Sequence, residues 1–166
     1  MYRTSRDCVR VVMLLTHVRN THIKEIMSWF LNEKEVHAWA GPNFRYPYDF
    51  NSFKKGLKLD EINSSVLLAD DNTLMAFGQF YLRIGCCHLG RLVVNPEYRG
   101  GGIVATLITQ LSELGQLTLA TQTCSLFVLA HNKSAIKAYK KLGFVLADYP
   151  EPIPLANCLY MTKTPG

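Results

Sequence analysis

The fold turns on one stretch, His88-Leu-Gly-Arg-Leu-Val-Val-Asn-Pro-Glu-Tyr-Arg-Gly-Gly-Gly-Ile-Val104. Leu92, Val93 and Val94 form a short apolar, β-branched run of the kind a central strand carries. Asn95-Pro96 stops that run, because proline fixes its own φ, donates no N–H and suits the second position of a turn. Arg99 then precedes three adjacent glycines, Gly100, Gly101 and Gly102. With no Cβ in front of them, their N–H groups can crowd together and face one way. Ile103, Val104, Leu107, Ile108, Leu111 and Leu114 follow at helical spacing. A loop of exposed N–H groups at a helix N-terminus is an anion site, most often for phosphate. It is not a nucleotide P-loop, since no lysine with Ser or Thr follows the glycines. Nor is it the dinucleotide fingerprint, which needs a third, spaced glycine and an acid about 20 residues on.

On the N-terminal side, Cys86 to Val94 reads as the strand that leads into this loop, after a break at Gly85. Ser64–Asp70 and Thr73–Ile84 read as a hairpin turned by Asp70-Asp71-Asn72. Further back, Val9–Thr16 reads as a first strand. Thr21 is placed to cap a helix over His22–Leu31, Asn32 one over Glu33–Ala40 that Gly41-Pro42 ends, and Asp49 one running to Leu57. On the C-terminal side, the helix after the glycines closes near Gly115, a suitable C′ residue. Cys124–Leu129 is a compact apolar strand. Asn132 opens a helix through Leu142, which Gly143 ends. Phe144–Ala147 and Cys158–Thr162 read as the last strands, separated by a loop with Pro150, Pro152 and Pro154. Strands first, then strand-helix-strand-helix-strand, predict a mixed α+β fold with helices on both faces of one sheet, in a single domain over residues 1–166.

Composition narrows the partners. Hydrophobic residues at 48% and charged residues at 19% describe an ordinary soluble domain. The net charge of +5 is mild, and its only cluster is Lys133, Lys137, Lys140 and Lys141. A nucleic-acid binder shows a denser basic face with interleaved aromatics, so no nucleic-acid partner is expected. The five cysteines include no Cys-x-x-Cys, which fits reduced thiols. Neighbours on a strand point to opposite faces, so Cys86, Cys87 and His88 cannot converge on one ion and no metal is expected. No apolar run reaches the ~20 residues of a membrane span. Arg3, Arg6 and Arg10 before Val11–Leu15 mimic a signal peptide, but no small-residue cleavage site follows. A cytoplasmic protein without membrane contact is expected.

Two further segments carry candidate site residues. Asn132, Ala135 and Tyr139 are spaced three and four apart, on one stripe of a helix. Asn132 there is a helix cap or a ligand contact, and Tyr139 is a packed ring or a hydroxyl donor. Trp39 to Phe53 is rich in aromatics, among them Trp39, Phe44 and Tyr46, and is broken by two prolines. Those rings either line a ligand pocket or plug the end of a small core.

Together, Arg99-Gly100-Gly101-Gly102-Ile103-Val104 and Asn132 to Phe144 resemble the GCN5-related N-acetyltransferase superfamily. The first segment is similar to its acetyl-CoA signature: Gln or Arg, two residues, Gly, one residue, then Gly or Ala. Val104 stands at the last position. Asn132, Ala135, Tyr139, Gly143 and Phe144 resemble the second motif. The resemblance implies a mostly antiparallel sheet of about six or seven strands, splayed at Val94 where acetyl-CoA enters. It implies that Leu92, Val93 and Val94 pair with the pantetheine arm. The N–H groups of Gly100, Gly101, Gly102, Ile103 and Val104 would hold the pyrophosphate beside Arg99. Asn132 and Ala135 would lie along the pantetheine, and Tyr139 would protonate the departing thiolate. A backbone N–H near Val94 would polarise the thioester carbonyl. Some members carry a glutamate base six residues before the position of Val94, where this chain has His88. Imidazole titrates near 6.5, so it can take a proton at neutral pH.

The implied activity is transfer of an acetyl group to a small-molecule amine or a protein N-terminus. Trp39, Phe44 and Tyr46 would line the acceptor site, and a homodimer is compatible. A non-catalytic CoA-binding or interaction module with the same fold is the alternative.

Overall fold

The computed structural model describes residues 12–165. Among these residues, seven strands form one sheet in the order β1-β2-β3-β4-β5-β7-β6. They are β1 (Met13–Thr16), β2 (Asn63–Ala69), β3 (Leu74–Arg83), β4 (Cys86–Val94), β5 (Cys124–Leu129), β6 (Val145–Ala147) and β7 (Cys158–Lys163). Every pairing is antiparallel except β4 with β5. Helices α1 (Asn20–Met27), α2 (Glu33–Ala40) and α3 (Phe50–Leu57) cover one face, and α4 (Ile103–Leu119) and α5 (Lys133–Lys141) the other.

Period-two alternation sorts the side chains between the two faces. On β3, Phe77 joins Ile23, Ile26, Val36, Phe53 and Leu57 under α1–α3. Phe80, on the opposite face, joins Leu89, Ile108, Leu111 and Leu126 under α4 and α5. The central strands are buried on both faces, which is why β3 reads as near-continuous apolar sequence.

Three expectations are corrected. Gly115 does not end α4. The helix runs on to Leu119 and stops at Ala120, whose φ is +52°. Gly115 is instead a contact point: an added Cβ would run into the Cys87 sulfur and come within 3.1 Å of Phe80. Thr21 does not cap α1, which starts one residue earlier. There the Arg19 N–H donates to His22 Nδ1 at 3.0 Å. That helix also ends at Met27 rather than Leu31, because the N–H groups of Ser28 and Trp29 bond back to Glu25 and Ile26 in a tightened turn. Of the expected first strand Val9–Thr16, residues 13–16 form β1 and residues 9–11 lie outside the described residues.

The feature that shapes the site is in β4. Phe77 pairs with Val93 and Gln79 with Gly90, so two steps along β3 face three along β4. The extra residue makes a β-bulge, and Arg91 sits in it with φ +49°. Few non-glycine residues adopt that conformation, and here contacts over-determine it. The Trp39 indole N–H donates to Arg91 O at 2.7 Å, and Arg91 Nη1 donates to Gly56 O at 2.7 Å.

Candidate active site

The bulge bends β4 away from β5. The two strands pair only at Cys87/Cys124, His88/Ser125 and Leu89/Leu126, and past Leu89 they share no pairs. The opening thus begins at Leu89 rather than at Val94, because the bulge lies between those two positions. It contains two cavities, of 140 and 250 Å³, whose walls share Trp39, Gly90, Arg91, Phe127 and Leu129. They form one cleft through the sheet. A more open groove of 930 Å³ along β1 and α1 shares no wall residue with it.

At the end of β4, Asn95 is buried and locks the turn. Its Nδ2 donates to Leu74 O at 2.9 Å, and its Oδ1 accepts the Glu97 N–H at 3.0 Å. A single 3-10 turn, Pro96–Tyr98, follows. Gly100 and Gly102 then take φ of +82° and +78°, a region that favours glycine. Gly102 is the N-cap of α4, so no side chain caps that helix, and its first turn holds no acid. By contrast, Asn32, Asp49 and Asn132 accept N–H groups at the starts of α2, α3 and α5. The first N–H groups of α4 therefore remain open to an anion, and the helix dipole favours one there. Val104 packs its side chain against the core beneath α4 and α5, so its bulk lies away from the loop.

The smaller cavity carries the second predicted segment. Asn132, Tyr139, Leu92 and Val128 line it. Asn132 does cap α5, accepting the Ala135 N–H at 3.2 Å, which leaves its amide NH₂ as a donor. Tyr139 is half-buried, with its ring centroid 6.3 Å from that of Phe144. Burial raises its pKa above the ordinary tyrosine value, so its hydroxyl stays protonated at neutral pH.

His88, Tyr81, Gln79 and Phe127 line the larger cavity. His88 is 2% exposed, with its ring centroid 5.3 Å from Tyr81 and 4.7 Å from Phe127. Its Nδ1 shares a hydrogen bond with Ser125 Oγ at 2.8 Å. Burial, helped by the Arg83 charge, lowers its pKa to about 3. The imidazole is therefore neutral at working pH, and it holds an added proton weakly.

Of the three aromatics expected at the acceptor site, only Trp39 lines the cleft. Phe44 is core: it is 6% exposed, packs edge-on against Phe53, and lies where a Cβ on Gly56 would stand 2.6 Å from its ring. Tyr46 packs edge-on against Tyr48 and lies on neither cavity wall. Sequence reading missed Arg91, Tyr81 and Phe127. The signal for Arg91 was a charged residue inside an otherwise apolar central strand.

Residues 23–144 match the acetyltransferase (GNAT) family. An uncharacterised N-acetyltransferase of Schizosaccharomyces pombe is 36% identical over 83 residues, which span 46% of this chain and 47% of that protein. The chain thus matches about half the length of that relative. Among solved structures, the Vibrio cholerae spermidine N-acetyltransferase in complex with CoA and spermine superposes with a TM-score of 0.70 at 18% identity, covering 92% of this chain and 95% of that one. The ribosomal-protein-S18-alanine N-acetyltransferase of Escherichia coli superposes at 0.64 and 20% identity, covering 92% and 94%. Among the described residues, no helix is long and apolar enough to cross a membrane.

Proposed function

This chain belongs to the acetyltransferase (GNAT) family, and from that premise we propose that it transfers an acetyl group from acetyl-CoA to the primary amine of a small molecule or a protein N-terminus by direct attack. The observation that carries this reading is the bulge at Arg91. The opening it makes joins Asn132 and Tyr139 on one side of the sheet to Trp39 and His88 on the other. Such a passage would let two substrates meet, each entering from its own face.

The residues present fit the co-substrate. The glycine loop (Gly100, Gly101, Gly102) and the first N–H groups of α4, at Ile103 and Val104, suit a pyrophosphate, with Arg99 beside them. The β4 edge at Leu92, Val93 and Val94 has no β5 partner and suits the amides of the pantetheine arm. Asn132 offers its amide NH₂ to the same arm, and Ala135 leaves room beside it. Acetyl-CoA supplies the acyl group as an activated thioester.

The amine nitrogen bonds to the acyl carbon and the carbon–sulfur bond breaks. A backbone N–H near Val94 stabilises charge developing on the carbonyl oxygen. Tyr139 gives its proton to the departing sulfur and regains one from solvent. His88 lies on the wall of the acceptor-side cavity. With a pKa near 3, it can relay the amine's proton but not store it, so that proton ends in solvent.

A thiol-release assay with acetyl-CoA and a panel of amines tests the reading. The expected result is amine-dependent release above the rate with acetyl-CoA alone. Tyr139→Phe should lower kcat by about a hundredfold or more, with little change in KM for acetyl-CoA. Binding of acetyl-CoA without any amine-dependent release would instead mark a non-catalytic CoA-binding module and overturn the reading.

A further inference from the structure

The acceptor side of the cleft holds a cation that no acid balances. Arg91 is half-buried and lines both cavities. A guanidinium has five N–H donors. Nη1 donates to Gly56 O at 2.7 Å and to Gln79 Oε1 at 3.4 Å, and the Phe44 ring lies 5.4 Å from the guanidinium carbon. Among the described residues, the Nε and Nη2 donors find no hydrogen-bond acceptor and Arg91 forms no ion pair.

The surroundings repeat the pattern. Among the described residues, no Asp or Glu lines either cavity. A second guanidinium, Arg83, lies beside the larger one. It donates to Tyr149 Oη and Tyr81 Oη at 2.9 Å each and stacks over Phe127 at 5.0 Å. Asp60 and Glu61, the acids nearest in sequence to the wall residue Ile62, line two other depressions, one of which adjoins the larger cavity at Ile62.

An amine acceptor arrives largely as an ammonium, and a polyamine carries several such charges. Bringing more positive charge beside two guanidiniums, with no carboxylate on the cavity walls among the described residues, costs both repulsion and desolvation. An acceptor that carries its own carboxylate turns the repulsion into attraction, and the planar fork of arginine, which matches a carboxylate, offsets the desolvation cost. We propose that Arg91 recognises a carboxylate on the acceptor, so that the substrate class is amino acids and closely related small amino carboxylates. The inference rests on the acetyltransferase reading and narrows its acceptor.

The test uses the intact protein, acetyl-CoA, the protein amino acids, the carboxamide of each amino acid that turns over, and spermidine. The carboxamide amine is the less protonated of each pair at neutral pH, so intrinsic reactivity favours the amide. The expected result is the opposite, with kcat/KM about ten- to a hundredfold higher for the carboxylate and spermidine at background. Arg91→Met should bring the carboxylate-to-amide ratio toward one. Arg91→Lys, which keeps a charge but not the fork, should retain part of the preference. A ratio near one in the unaltered protein, a preference for spermidine, or an unchanged ratio in folded Arg91→Met overturns the inference while leaving the acetyltransferase reading intact. Absence of amine-dependent thiol release with every acceptor tried overturns that reading, and the inference with it.

Discussion

His88 makes the folded state sensitive to acid, and the size of the effect follows from its surroundings. Its folded pKa is about 3, against 6.5 for the free side chain. Between those values the unfolded chain holds a proton at this site and the folded chain does not. Stability therefore rises with pH across that window: the contribution is complete above 6.5 and is lost as pH falls toward 3. The full difference corresponds to about 4 to 5 kcal/mol. By pH 5, about 2 kcal/mol of it has gone. For a domain of this size that lowers the melting temperature by roughly 4 to 8 °C. The assay is urea or thermal unfolding at about pH 7.5 and pH 5, on the native chain and on His88→Gln. Glutamine keeps a hydrogen-bonding group for Ser125 but cannot titrate. The variant starts less stable, and the comparison is of slopes; the other histidines and the carboxylates contribute equally to both proteins. A slope in the native chain steeper by about 2 kcal/mol over that interval is expected. Equal slopes refute the burial argument.

Two further outcomes test how the glycines act. Gly102→Ala places a side chain at φ +78° with nothing within 4 Å of the new Cβ, so only backbone strain is added. Unfolding should show a loss of about 1 kcal/mol, and steady-state kinetics a raised KM for acetyl-CoA. Gly115→Ala drives a methyl toward Cys87 and Phe80. Denaturant melts should show a net loss of roughly 1 to 3 kcal/mol despite the gain in helix propensity, and Cys87→Ala in the same chain should recover part of it.

What could be read from the chain divides along the range of the interactions. The run Leu92–Val94, the stop at Asn95-Pro96 and the glycines before Ile103 are local signals, and the strand, turn and helix they imply are present. The caps at Asn32, Asp49 and Asn132 are equally local, and each accepts the predicted helix N–H. Gly115 was misread because a helix-ending glycine and a close-packed glycine look alike until the sheet beneath is known. Phe44 and Trp39 share an aromatic segment, yet one fills the core and the other lines the cleft, a division made by α3 and by the bulge. The bulge itself depends on Trp39 reaching Arg91 across 52 positions, and no window of sequence contains both.

The seam between β4 and β5 has a mechanical side as well. Three rungs join strands β1–β4 to strands β5–β7, where an unbroken ladder would have carried on past Leu89. Shear across the middle of the sheet is resisted there by that short ladder and by the core that α4 and α5 cover. A pantetheine arm lying along the free edge would act as the missing rungs. A gap that admits such a cargo would make the molecule's own stiffness depend on whether the cargo is aboard.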